Sequence, residues 1–140
     1  MMLAALLRYY HNVSELVTRL GGAKIYIAKA PTPQQNVAAV KIPYMILDAP
    51  IPNPRKKITQ KFSEETGVVY IRVFHTDPIW ITNTMSMLLR YTENLRGDLV
   101  GASDVHLTCK SPTLDESAGG LTVGILEIRY RLKWETVMPE

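Results

Sequence analysis

The residues of this 140-residue chain that come nearest to a reactive constellation are three histidines, one cysteine and two adjacent acidic pairs. His11, His75 and His106 lie far apart in sequence, and none has a partner at the short spacing that zinc ligands take from one helix or turn. Cys109 alternates with Thr108 and sits two residues from Leu107, the pattern of a buried, inert strand thiol rather than a nucleophile. Glu64-Glu65 are neighbours and read as a solvated pair in a turn, where two carboxylates do not converge on one substrate. Asp77 precedes Pro78, the arrangement of a helix cap followed by a first-turn proline. Asp115-Glu116 lie in a Ser-, Pro- and Gly-containing stretch that reads as a loop. The glycines at 97, 101 and 119–120 do not link a strand to a helix at phosphate-binding spacing. The expectation is a protein that is not an enzyme and uses neither cofactor nor metal.

The strongest charged feature is basic: Arg55, Lys56, Lys57 and Lys61. Such a cluster is either a solvated arm or a face for phosphates or an acidic partner. Only Phe62 accompanies it, so a stacking platform for single-stranded nucleic acid is not expected. The formal net charge of +3 and pI near 9.0 permit contact with DNA without the charge density of a dedicated binder.

These residues need a scaffold, and composition allows one. At 46% hydrophobic and 21% charged, a chain of this size holds one core without staples, so residues 1–140 are expected to form a single domain. One cysteine excludes an intrachain disulfide. Met1 to Leu7 lack a basic n-region and are interrupted by Arg8, so no secretory signal is expected, and the Asn12-Val13-Ser14 sequon reads as a chance match. No run approaches the roughly 20 apolar residues that span a bilayer, so no membrane partner is expected.

Leu3, Leu6, Leu7, Tyr10, Val13, Leu16, Val17 and Leu20 form one apolar helical stripe, with Arg8, Asn12, Glu15 and Arg19 opposite and Gly21-Gly22 as the stop. Lys24–Ala28 and Tyr44–Asp48 read as strands, separated by a proline-bearing loop. After the stiff Ala49–Pro54 segment, Arg55–Phe62 reads as a strand of an exposed hairpin arm. Val68–His75 is apolar on both faces and is expected to be central and covered on both sides. A second helix is expected from Asp77-Pro78 to about Arg96, stopped by Gly97. It carries two stripes: Ile81, Met85, Leu88, Thr92 and Leu95 form one, and Trp80, Thr84, Met87 and Tyr91 the other. That arc is too wide for one-sided packing on a sheet. The second stripe must meet another element or another chain, and is taken as the candidate subunit interface. Val105–Cys109 and Leu121–Trp134 read as strands around a 111–120 loop. The apolar parity of the last strand switches from odd to even positions, which calls for a bulge between Gly124 and Glu127. Arg129, Arg131 and Lys133 then occupy its other face. The fold class expected is α+β: a mostly antiparallel, twisted sheet of about five to six strands packed with two helices.

Four segments in this order resemble the tail-terminator (tail-completion) proteins of long-tailed bacteriophages. They are the helix closing in Leu20-Gly21-Gly22 before Lys24-Ile25-Tyr26-Ile27, the strand Pro43-Tyr44-Met45-Ile46-Leu47, the strand Val69–His75 running through Thr76-Asp77 into a helix, and the closing strand Gly124–Arg131. The resemblance is one of layout over nearly the whole chain. It implies a structural virion protein at the head-proximal end of the tail, made in the host cytoplasm. It further implies a ring, usually of six subunits, that caps the tail tube, stops its growth and offers a docking surface to the head connector. The implied partners are other copies of the chain, the major tail-tube protein and the head-connector protein, while DNA passes through without sequence-specific binding. The Ala49–Lys61 stretch has no counterpart in the resemblance, so Arg55, Lys56, Lys57 and Lys61 are candidates for tube, connector or DNA contact. The alternatives are another small head–tail joining protein, a small basic nucleic-acid-binding module, or an enzyme whose pocket is assembled from distant residues.

Overall fold

In the computed structural model, residues 2–29, 41–49, 55–58, 62–93, 95–99, 102–116 and 120–135 are described. They form helices α1 (Met2–His11), α2 (Ser14–Leu20) and α3 (Pro78–Glu93). The strands are β1 (Ile25–Ile27), β2 (Tyr44–Asp48), β3 (Arg55–Ile58), β4 (Phe62–His75), β5 (Arg96–Leu99), β6 (Ala102–Cys109), β7 (Thr113–Glu116) and β8 (Thr122–Glu135). One sheet has the path β1-β2-β4-β8-β6-β5, with β3 added on β4 and β7 added on β8. Its pairings are antiparallel except β1 with β2, so the α+β class holds.

The first helical stripe is not one helix. Val13 adopts an extended backbone (φ −86, ψ 94), and the amides of Asn12 and Val13 close onto the Tyr9 and Tyr10 carbonyls. The Asn12 side-chain amide also donates to the Arg8 carbonyl, drawing the chain out of the helix as short polar side chains do. The apolar spacing continues across the break, which is why periodicity alone missed it. Gly21 ends α2 in the left-handed conformation (φ 76), and the Gly21 and Gly22 amides donate to the Thr18 and Val17 carbonyls, the expected C-terminal stop.

β4 is central, as expected, but runs from Phe62 rather than Val68. Val69, Ile71 and Val73 are buried beneath the helices, whereas Val68, Tyr70 and Phe74 are half-exposed. Among the described residues no helix covers the second face of this strand, and its apolar residues are half-buried there rather than fully buried as on the first. The expected bulge in β8 is also absent: β8 pairs with β4 without a break, from Thr122 opposite His75 to Glu135 opposite Phe62. Thr122, Gly124, Leu126, Ile128, Tyr130 and Leu132 all face the helices. The parity switch arises because the first two of these are small, so the apolar Val123 and Ile125 of the other face dominate the pattern there. An added Cβ on Gly124 would lie 2.6 Å from Ile81 Cγ2 and 2.8 Å from Met85 Cγ, so α3 passes close over β8 at this point.

α3 begins as expected: the Asp77 carboxylate accepts from the Ile79 amide at 3.0 Å, and Pro78 fills the first turn. It ends at Glu93, not Arg96, and Arg96–Leu99 becomes β5, pairing with β6. The 111–120 segment likewise contains a strand, β7, paired with the first half of β8. The core joins Leu6, Tyr10, Leu16 and Leu20 of the first two helices to Ile81, Met85 and Leu88 of α3 and to Met45, Leu47, Ile71, Leu126 and Ile128 of the sheet. Each such side chain stabilises the fold by about 1.5–3 kcal/mol relative to exposure.

Candidate assembly surfaces

Three residues of the second stripe of α3, Trp80, Thr84 and Tyr91, meet the chain's own α2. Thr84 is 0% exposed and Met87 7%, while Trp80 and Tyr91 are half-buried. Arg19 Nε donates to Thr84 Oγ1 at 2.6 Å, Arg19 Nη2 donates to the Trp80 carbonyl at 3.1 Å, and the guanidinium lies 4.9 Å from the Trp80 ring centroid. The Tyr91 hydroxyl donates to Glu15 at 2.7 Å, which pushes its pKa up, with burial adding to the effect. Tyr9 Oη donates to the Tyr91 carbonyl, and Tyr10 Oη meets Thr92 Oγ1 in the buried seam. Burial is the main cause that raises the Tyr10 pKa.

This corrects the interface reading for two of its four residues. Thr84 and Met87 lie inside the subunit, and Trp80 and Tyr91 keep only part of their surface for contact. The contacts come from Glu15 and Arg19, four residues apart on the side of the helix opposite its apolar stripe. The break at Asn12–Val13 lets α2 turn that side onto α3.

The arm is built by β3, the first half of β4 and the second half of β8. Lys56 is opposite Glu65, Lys57 opposite Glu64, and Glu64 also opposite Lys133. The acidic pair is thus not a solvated turn. Glu65 lies on the helix side of β4, 4% exposed, and accepts from Tyr130 Oη at 3.0 Å. The pKa of Tyr130 is raised first by burial and then by that hydrogen bond. Gly67 makes room for the Tyr130 ring, since a Cβ there would lie 2.6 Å from Oη. Of the four candidate contact residues, Arg55, Lys56 and Lys57 lie on β3, and Lys61 is outside the described residues.

The face of the sheet away from the helices divides in two. Near the β4–α3 turn it is apolar: the Tyr44 and Phe74 rings stack at 4.8 Å, and Ile46 and Val123 are each 8% exposed. Further along it is charged. Asp48 lies 3.6 Å from Arg72. Glu127 accepts from Tyr70 Oη at 2.9 Å and has Lys110 Nζ at 3.0 Å. Those two contacts, Lys110 first, hold the Glu127 carboxyl below its usual range. Arg129 and Arg131 are exposed on this face, and the register puts Arg55 in the row of Thr66 and Arg131, and Lys57 in the row of Glu64 and Lys133. Two basic runs distant in sequence therefore share one face of the arm.

Among the described residues, no three His, Cys, Asp or Glu side chains cluster to hold a metal ion. His75 is engaged locally, its Nδ1 accepting from the Thr76 and Asp77 amides at 2.7 and 3.1 Å.

No protein-family profile matches the chain, and no curated protein matches it. Among solved structures, the fold is similar to that of a chain in a virion of a native gene transfer agent particle. The TM-score is 0.65 at 12% identity, covering 91% of this chain and 92% of that one.

Proposed function

We propose that this chain is a structural subunit of a phage-like virion, acting by assembly and without a catalytic step. The observation that carries the reading is the likeness to a virion-particle chain over nearly the full length of both partners, since a match of that extent leaves little of either chain outside the shared fold. Within the virion, the element order and the four resembling segments favour the tail terminator. Copies of the chain form a ring of six that sits on the last ring of the tail tube. It stops further growth and presents its other side to the head connector, and DNA passes through its centre. The arm chemistry agrees with assembly more than with a nucleic-acid-binding module, because Lys56 and Lys57 stand opposite Glu65 and Glu64 of the same sheet. Opposite charges facing each other across a sheet favour its pairing.

The test is removal of the gene from the particle that encodes it. The expected result is tails of uncontrolled length that do not join heads. Tails of normal length, joined to heads as usual, would overturn the reading.

A further inference from the structure

Among the described residues, β1, β3, β5 and β7 have no strand on their outer side, and of these β3 and β7 lie at opposite corners of the sheet. Among the described residues, β3 pairs only with β4, and β7 pairs only with β8. All four residues of β7 are exposed, and Leu114 is 51% exposed on the helix side of the sheet. The edges are opposite in charge: Arg55-Lys56-Lys57-Ile58 on one, Thr113-Leu114-Asp115-Glu116 on the other. Unpaired edges invite another strand, and like charge along an edge repels a copy of itself. We infer that β7 of one subunit pairs with β3 of the next, so that the sheet continues from copy to copy; this rests on the assembly reading above.

Strand direction and face both fit. β3 and β8 each run antiparallel to β4, and β7 runs antiparallel to β8. A neighbouring copy in the same orientation therefore offers its β7 antiparallel to β3. The face is set by register: Lys56 shares a face with the buried Glu65, and Glu116 and Leu114 share one with Thr122 and Gly124, all on the helix side. A continuous sheet must keep that alternation. One register does so while matching charge along the strand, with Lys56 opposite Glu116, Lys57 opposite Asp115 and Ile58 opposite Leu114. It extends the row Lys133–Glu64–Lys57 by the neighbour's Asp115, giving alternating signs across four strands. It also gives the exposed Leu114 an apolar partner. Because the two edges are different surfaces, the contact is head-to-tail, the kind that closes into rings when the rotation per subunit allows.

The experiment uses the full chain. Asp115→Lys/Glu116→Lys makes both edges basic, and Lys56→Glu/Lys57→Glu makes both edges net acidic, Arg55 alone remaining positive. Light scattering should show each variant alone failing to assemble at concentrations about tenfold above those at which the wild type does. An equimolar mixture should restore assembly, since each edge then finds its opposite. Because the acidic variant places Glu against Glu64 and Glu65 and can fail to fold, a second measurement stands beside it. In a Cys109→Ser background, Lys57→Cys copies mixed with Asp115→Cys copies should form a disulfide between the two species on mild oxidation. Directly opposite strand residues lie about 4.5–5.5 Å apart between Cα atoms, within disulfide range. A wild type that assembles while Asp115→Lys/Glu116→Lys assembles equally well, or while the cysteine pair fails to cross-link, would overturn this inference and leave the assembly reading standing. A wild type that stays monomeric with and without tail tubes would remove both.

Discussion

Gly124→Ala should destabilise the fold although it replaces glycine in a strand with a better strand residue. The added methyl would lie 2.6 Å from Ile81 Cγ2 and 2.8 Å from Met85 Cγ and Sδ, whereas carbon atoms rest at about 3.5–4.0 Å. Met85 can turn aside because it is unbranched and flexible. Ile81 cannot, because a β-branched side chain in a helix has essentially one χ1 rotamer. α3 must therefore lift by about 1 Å or Ile81 must strain, at a cost of about 1–3 kcal/mol. Relief of glycine's extra unfolded-state entropy returns about 0.4–1 kcal/mol. The net loss should be about 1–2 kcal/mol, read as a lower urea midpoint with an unchanged m-value. Ile81→Ala alone should cost about 2–5 kcal/mol by leaving a cavity, and in that background Gly124→Ala should cost nothing further. A neutral Gly124→Ala, or one that costs the same with and without Ile81, would refute the close approach of α3 to β8.

Three other outcomes follow from the same contacts. Arg19→Ala should cost about 1–2 kcal/mol in urea unfolding, because it removes the Trp80 cation–π contact and the hydrogen bonds to Thr84 and the Trp80 carbonyl; a loss under about 0.3 kcal/mol would separate α2 from α3 energetically. Tyr130→Phe leaves the buried Glu65 without its hydroxyl donor and should cost about 1–3 kcal/mol by the same assay, with Gly67→Ala giving a loss in the same direction by displacing the ring. Lys110→Ala should cost at most about 1 kcal/mol, and only at neutral pH. Glu127 has a depressed folded pKa, so its contribution is present above the unfolded value of about 4.3 and is lost as pH falls through the folded value. The difference between wild type and Lys110→Ala should vanish in acid; a difference that persists at pH 2 would rule out the ion pair as its source.

Much of the scaffold was legible because it rests on strong local signals. Tyr44–Asp48, the Asp77-Pro78 helix start and the Gly21 stop follow from patterning, capping and backbone preference, and all three stand. The misses share a cause: tertiary context reassigned residues whose local pattern was sound. The α1–α2 break preserves apolar spacing and changes only direction, so it carries no periodic signature. The parity switch of β8 was real, but small residues beneath α3 produce it, and no sequence window shows which helix will lie over Gly124. Thr113–Glu116 has the composition of a loop and forms a strand only because the edge of β8 is available. At the candidate surface, the basic cluster was visible and its partners were not, since Glu64 and Glu65 meet Lys57 and Lys56 only through the hairpin register. Trp80, Thr84 and Tyr91 meet α2 within the subunit through Glu15 and Arg19, a contact that no sequence window shows.

The mass of the purified full-length protein, measured by light scattering alone and with tail tubes added, tests the central claim most directly. The account predicts a closed oligomer of defined mass, or one that forms on the tube ends and is visible there as a ring. A strict monomer at virion-like concentrations that leaves tube ends bare would contradict it.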